Sequence, residues 1–110
     1  MPPRILLLQA RNHDDAARLE ERQSFADKAK LDIEQVVPYN LLSGTPTLRE
    51  ALVYDALMVG GSGDFYVSKG NLPGFAQVLD LLRGMVASDH PIFASYFGFQ
   101  LMVKALGGDI

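Results

Sequence analysis

The stretch "PIFASYFGFQLMVKALGG", Pro91 to Gly108, predicts a buried strand that turns sharply into a helix. "PIFAS" forms the strand and "FGFQLMVKALGG" the helix, which ends at Gly107 and Gly108 because glycine is the favoured helix terminator. At such a corner a side chain projects into a cleft, the next backbone amides point into the same space, and the helix dipole favours negative charge there. Tyr96 occupies the corner, a position that enzymes often give to a reactive group.

Three strand and helix units precede this corner. "RILLLQA", Arg4 to Ala10, has the length and continuous apolar character of a strand that is buried on both faces of a parallel sheet. The alternation of strands and helices favours right-handed crossovers, so we predict one α/β domain over residues 1–110, a flavodoxin-like three-layer sandwich with a parallel central sheet. After the first strand, we predict a helix from about Asp14 to Lys30, with Asp14 and Asp15 as N-cap candidates, and a strand over Ile33 to Val37 that ends at Pro38. A helix should then run from the Thr47–Glu50 capping box to about Tyr54, followed by a strand over Ala56 to Val59. The next helix has apolar residues at helical spacing: Phe75, Val78, Leu79, Leu82, Met85 and Val86.

Composition excludes several classes of function. A chain of 110 residues with 48% hydrophobic content can form one small core, and its net charge of −3 provides no basic stripe, so no nucleic-acid partner is predicted. There is no cysteine, which excludes disulfides, thiolate zinc sites and a cysteine nucleophile in this sequence. No signal peptide is visible and no apolar run approaches the roughly 18 residues of a membrane span. We therefore expect a cytoplasmic protein with no membrane partner, no metal and no cofactor.

The third strand leads into a glycine-rich stretch, "GGSGD", from Gly60 to Asp64. Glycines permit positive φ and a close approach of the backbone to another group. Sites in parallel sheets lie beyond the carboxyl ends of the strands, so this stretch and the corner should share one edge. The amides of Gly61 and Phe97 could then form an oxyanion hole. Taken singly, each motif is more typical of an ordinary loop or helix start than of an oxyanion hole.

Taken together, these residues resemble the class I glutamine amidotransferases. In that family a strand written Pro-Ile/Val-x-Gly-x is followed by Cys-Tyr/Phe-Gly-x-Gln and by a helix that often ends in Leu-Gly-Gly. "VGGSGD" resembles the family's oxyanion loop and "RILLLQARNHDD" its opening strand, so the resemblance covers essentially all of the chain and matches the N-terminal half of such a domain. The residues that match at the corner are Pro91, Ile92, Phe97, Gly98, Gln100, Leu106, Gly107 and Gly108.

The resemblance implies glutamine as substrate and its hydrolysis to glutamate and ammonia by a Cys-His-Glu triad at a nucleophile elbow, with the ammonia passed to a synthetase partner. It also implies that Gly60, Gly61 and Phe97 form the oxyanion and substrate-binding site, and that Gln100 lines or braces the glutamine pocket. The nucleophile position falls on Tyr96. A phenol is mostly protonated at neutral pH and its oxygen lies further from the backbone than a cysteine sulfur would. We therefore predict that this chain does not hydrolyse glutamine.

The remaining candidates do not replace the missing groups. His13 follows the first strand and is expected to be solvated or capping, whereas His90 lies at the opposite end of the sheet; neither matches the late histidine of the family. Ser95 should point away from the cleft into packing. The other expectations are that Asp64 makes local hydrogen bonds, that Arg11 and Lys69 are solvated, and that Phe93, Phe97, Phe99 and Met102 belong to the core.

Four interpretations remain open. One is that the chain is a relative from the wider group of nucleophile-elbow proteins, with a different acyl substrate. The chain can be part of a longer enzyme, in which case the missing C-terminal half is a partner and the exposed strand edge promotes homo-oligomers or aggregation. It can be a pseudoenzyme that acts as a binding or regulatory module. It can also be a flavodoxin-like cofactor binder, although it lacks a Ser/Thr-rich phosphate loop directly after the first strand.

Overall fold

The first strand, β1, is the centre of the molecule. In the computed structural model, which describes residues 3–12, 14–62, 72–94 and 96–107 and only the backbone of Ser62, Tyr96 and Phe97, all six residues of β1 are buried. The apolar run of the sequence therefore forms the strand that it predicts. In chain order the elements are β1 (Ile5–Ala10), α1 (Ala17–Ala29), β2 (Val36–Asn40), α2 (Leu48–Leu52), β3 (Ala56–Ser62), α3 (Phe75–Ala87), β4 (Ile92–Ala94) and α4 (Tyr96–Ala105), with single 3₁₀ turns at Ile33–Gln35 and Leu41–Ser43.

The four described strands form one parallel sheet in the order β2-β1-β3-β4. Successive side chains of a strand point to opposite faces, and β1 supplies Ile5 and Leu7 to one face and Leu6 and Leu8 to the other. Helix α1 packs on the first face through Ala26, and helices α2, α3 and α4 pack on the second. The predicted α/β class, a flavodoxin-like sandwich with a parallel central sheet, is confirmed.

The second strand differs from the prediction. Ile33–Gln35 form a 3₁₀ turn, and the strand begins only at Val36 and runs through Pro38 to Asn40. The turn is held from α1, because the Nε and Nη2 atoms of Arg22 donate to the carbonyl oxygens of Val36 and Ile33 at 2.8 and 2.9 Å. Proline is compatible with β2 because β2 lies at an edge of the described sheet, where one side of the strand needs no ladder bonds.

The helix starts follow local side-chain chemistry. Thr47 Oγ1 accepts from the N–H of Glu50 at 3.1 Å and Glu50 Oε1 accepts from the N–H of Thr47 at 3.0 Å, so the predicted capping box is confirmed. Hydrogen bonds from the backbone N–H and then from the side chain of Thr47 lower the pKa of the Glu50 carboxyl. At α1 the N-cap is Ala16, so the prediction of Asp14 or Asp15 as N-cap is wrong, although the Oδ1 atom of Asp15 accepts from the N–H of Ala17 at 2.9 Å.

The most periodic helix of the sequence, α3, packs as its spacing predicts. Val78, Leu79, Leu82 and Met85 are buried, whereas Val86 lies at the margin of the stripe and is exposed. Within the described ranges, none of the helices combines the length and the hydropathy that crossing a bilayer requires.

Candidate functional site

The predicted corner lies between β4 and α4. Strand β4 ends at Ala94 and α4 begins at Tyr96, so the backbone passes from strand to helix within a single residue, Ser95, which is outside the described part of the chain. The backbone amides of a first helical turn have no partners within the helix. The N–H of Phe97 belongs to this turn, as the proposed oxyanion donor requires, although that role stays a prediction.

Gly98 sets the position of the corner against the sheet. A Cβ atom at Gly98 would overlap the carbonyl oxygen of Val59 and would lie 2.8 Å from the Cβ atom of Val59. Only glycine therefore allows the first turn of α4 to approach the backbone of β3 this closely. Leu101, one turn later on α4, is completely buried in the same core cluster as Val59. Close packing of α4 on β3 thus explains why glycine occupies this position of the motif.

Strand β3 is longer than predicted. It runs through Gly60 and Gly61 to Ser62, so the first two glycines lie in a strand and not in a loop. Positive φ is recorded for Gly44, Gly74 and Gly107 and not for this pair. The reason for glycine is close approach: a Cβ atom at Gly60 would lie 2.6 Å from Glu21 Cδ, and one at Gly61 would lie 3.0 Å from Arg11 Nη2.

The carboxylate of Glu21 fills this space. Its Oε2 atom accepts from the backbone N–H of Gly61 at 2.7 Å and lies 3.5 Å from Arg11 Nη2, and its Oε1 atom accepts from Gln9 Nε2 at 3.2 Å. Gln9 is 1% exposed and also donates to the carbonyl oxygen of Arg18 at 2.8 Å. The side chains of Arg11 and Glu21 are 16% and 12% exposed. Charge-assisted bonds between partly buried groups are stronger than bonds between neutral groups, so this network ties β1, α1 and β3 together at the carboxyl edge of the sheet.

Sequence reasoning missed this network. Gln9 carried a usable signal, because a polar side chain inside a strand buried on both faces must find a hydrogen-bond partner. Glu21 carried none, since it is one of several acids on α1. Arg11 was expected to be solvated and this is wrong: it is largely enclosed by Asp15, at 3.3 Å, and Glu21.

The structure brings some predicted site residues together. Gly60 and Gly61 lie at the carboxyl end of β3, next to β4, which leads into Tyr96 and Phe97. Gln100 is half-buried one turn after Tyr96 on the same side of α4, so it can brace the corner, and its role stays a prediction. Gly61 as an oxyanion donor also stays a prediction, and its N–H is engaged by Glu21 in this structure.

Other candidates lie apart from the corner. His90 precedes β4 at the amino ends of the strands, the end of the sheet opposite the corner, as expected. His13, Asp64, Lys69 and Ser95 lie outside the described residues, so the expectations for them are untested.

Two of the three phenylalanines expected in the core are exposed, and the side chain of the third, Phe97, lies outside the described part of the chain. Phe93 is 56% exposed and Phe99 is 62% exposed, whereas Met102 packs partly buried against the core. Phe93 lies on the face of the sheet that α1 covers only in part, and it lines a groove of about 530 Å³ with Phe25 and Met58. This apolar groove is separate from the corner. The groove lies on the face that α1 covers, whereas Gly98 places the corner on the face that α4 covers.

The fold is similar to that of a glutamine amido transferase from Methylobacillus flagellatus, with a TM-score of 0.69 and 19% sequence identity. The match covers 99% of this chain and 41% of the other, so this chain spans about two fifths of the length of that protein. No protein-family model and no curated protein sequence matches this chain. Over nearly its whole length, the chain therefore shares its fold with about two fifths of this glutamine amido transferase.

Proposed function

We propose that this chain is a glutamine amidotransferase-like domain that binds L-glutamine at the corner between β4 and α4 and does not hydrolyse it. The observation that carries the proposal is the contact of Gly98 with the backbone of Val59, which seats the first turn of α4 beside the glycine end of β3. The similarity of the fold to a glutamine amido transferase supports the choice of ligand.

The chemistry of the corner suits an amide ligand. The free N–H groups and the dipole of the α4 N-terminus favour an oxygen that carries partial negative charge, such as the side-chain carbonyl of glutamine. Hydrolysis requires more than this, because a nucleophile must attack that carbonyl and a base must accept its proton. The sequence has no cysteine, Tyr96 occupies the nucleophile position, and His90 lies at the opposite end of the strands from the corner.

Binding without turnover is therefore the expected behaviour of this chain. Turnover would need a thiol at position 96 together with a histidine and an acid supplied by further polypeptide. A synthetase that accepts the ammonia belongs to that active assembly and is part of the same proposal.

Titration calorimetry with L-glutamine tests the proposal. We expect saturable binding of L-glutamine, weaker binding of D-glutamine, and no release of ammonia during long incubation. Gln100→Ala should weaken the binding, because Gln100 lies one turn below the corner. The matched control is Gln77→Ala, which removes an exposed glutamine from α3 and should leave the binding unchanged.

Two results would contradict the proposal in different ways. A weak dissociation constant of about 1 mM corresponds to a binding free energy of about −4 kcal/mol. If L-glutamine does not bind even at about 10 mM, the proposal that it is the ligand is refuted. Ammonia release by the purified chain would refute the absence of hydrolysis.

A further inference from the structure

The glycine end of β3 contains one residue more than its partner strand. Leu8 pairs with Val59, but Ala10 pairs with Ser62, so Gly60 and Gly61 together stand opposite the single residue Gln9. Two residues opposite one define a β-bulge, a feature that re-aims backbone groups and is common beside functional sites.

The bulge changes which amide faces β4. The N–H of Leu57 donates to the carbonyl oxygen of Pro91, directly before β4, at 2.9 Å. Successive residues of a strand direct their backbone groups to opposite neighbours, so Val59 faces β4 as well and Gly61 would face it in a regular strand. Instead, the N–H of Gly61 donates to Glu21. After the extra residue, the orientation toward β4 passes to Ser62.

We propose that Glu21 is a positioning residue that holds the Gly60–Gly61 bulge, and that the backbone N–H of Ser62, rather than that of Gly61, is the donor that β3 presents to a ligand at the corner. The identity of the ligand rests on the proposed function. The bond between Glu21 and Gly61 and the orientation of Ser62 do not depend on it.

The surroundings of Glu21 fit a fixed anchor. Its carboxylate accepts from Gln9 as well as from Gly61 and lies beside the guanidinium of Arg11, so groups on two strands hold it. Glycine at position 60 leaves the space that the carboxylate occupies. A ligand oxygen would have to displace this internal acceptor to reach the N–H of Gly61, whereas the register directs the N–H of Ser62 toward β4 and away from Glu21.

Amide hydrogen exchange and chemical shifts of ¹⁵N-labelled protein test the proposal without a ligand. In the unmodified chain we expect the Gly61 amide to be protected and shifted downfield, and the Ser62 amide to exchange rapidly. Glu21→Ala should reduce the protection of Gly61 about tenfold or more, because a bond to a charged acceptor is lost. Glu21→Gln keeps an acceptor oxygen and should retain part of the protection. Glu20→Ala, a change at the neighbouring exposed acid, is the matched control and should have no effect.

Addition of L-glutamine then identifies the donor. We expect the Ser62 resonance to move and the Gly61 resonance to stay in place. An unprotected Gly61 amide, a protected Ser62 amide in the ligand-free protein, or a ligand-induced shift at Gly61 without one at Ser62 would overturn the proposal. If L-glutamine moves no resonance, the proposed function fails, and the ligand-free exchange rates of Gly61 and Ser62 still decide the role of Glu21. If Glu21→Ala does not fold, the unmodified chain and Glu21→Gln supply the decisive rates.

Discussion

Replacement of Gly98 by alanine should destabilise the protein, although alanine is the better helix former. The new Cβ atom would lie 2.8 Å from Val59 Cβ and 2.9 Å from Val59 Cγ1, and closer still to the carbonyl oxygen of Val59. These atoms belong to a buried strand and cannot move without disturbing β3, so overpacking should cost about 2–3 kcal/mol, the upper part of its usual range. The higher helix propensity of alanine returns about 1 kcal/mol of this. We expect a net loss of about 1–2 kcal/mol in the free energy of unfolding.

Gly84 in α3 provides the matched control. A Cβ atom there would meet only the side chain of Leu48, at 3.0 Å from Cδ2, and Leu48 is 37% exposed and can rotate away. Gly84→Ala should therefore be neutral or more stable by up to about 1 kcal/mol. Urea unfolding followed by circular dichroism measures both variants, and the midpoint of Gly98→Ala should fall by about 0.5–1 M. Equal or greater stability of Gly98→Ala, or an equal loss in both variants, would refute the packing argument.

Thr47→Ala should lower the stability by about 1 kcal/mol in thermal unfolding, because α2 loses its N-cap, and an unchanged midpoint would contradict this. The backbone N–H and the hydroxyl of Thr47 hold the pKa of Glu50 below its usual value. The stability that Glu50 contributes is therefore present above its unfolded pKa and is lost as the pH falls through its folded pKa. In Glu50→Gln, the urea midpoint should accordingly decrease less on acidification than in the unmodified protein. Arg22→Lys should cost about 1 kcal/mol in urea unfolding, since one ammonium cannot join the two carbonyl oxygens that the guanidinium joins, and full stability of the variant would argue against that bridge. Phe93→Ser should reduce self-association in size-exclusion chromatography, because Phe93 is 56% exposed, and an unchanged elution profile would exclude this residue as the cause.

The sequence predicts those features that depend on neighbouring residues. The apolar run of β1, the capping box at Thr47 and the helix that stops at Gly107 are local patterns, and each appears where it was expected. Strand β4 and helix α4 also lie where local patterns predict them, on either side of Ser95, although β4 is half-buried to exposed and not buried as predicted.

The features that escaped prediction depend on groups far apart in the chain. The 3₁₀ turn at Ile33–Gln35 is held by Arg22 from the preceding helix, which no strand pattern reveals. Glu21 and Gly61 are 40 residues apart, so their hydrogen bond exists only after α1 has packed on the sheet. The exposure of Phe93 likewise reflects how much of one sheet face α1 covers, and the composition of β4 carries no information about that.

Two glycines, Gly60 and Gly98, allow close contacts that fix the backbone frame of the site, and this frame is separate from the reactive group at the corner. Gly98 lets α4 contact Val59 from one face of β3, and Gly60 lets Glu21 of α1 contact the same strand from the other face. The carboxyl end of β3 is thus fixed from both faces by contacts that do not involve Tyr96. Since these contacts are made at Gly60 and Gly98, we expect the strand, the bulge and the first turn of α4 to stay in position when the residue at the corner is changed. Substitutions at Gly98 and Glu21 should therefore alter stability and amide geometry, and substitutions at Tyr96 should alter the chemistry that the same frame supports.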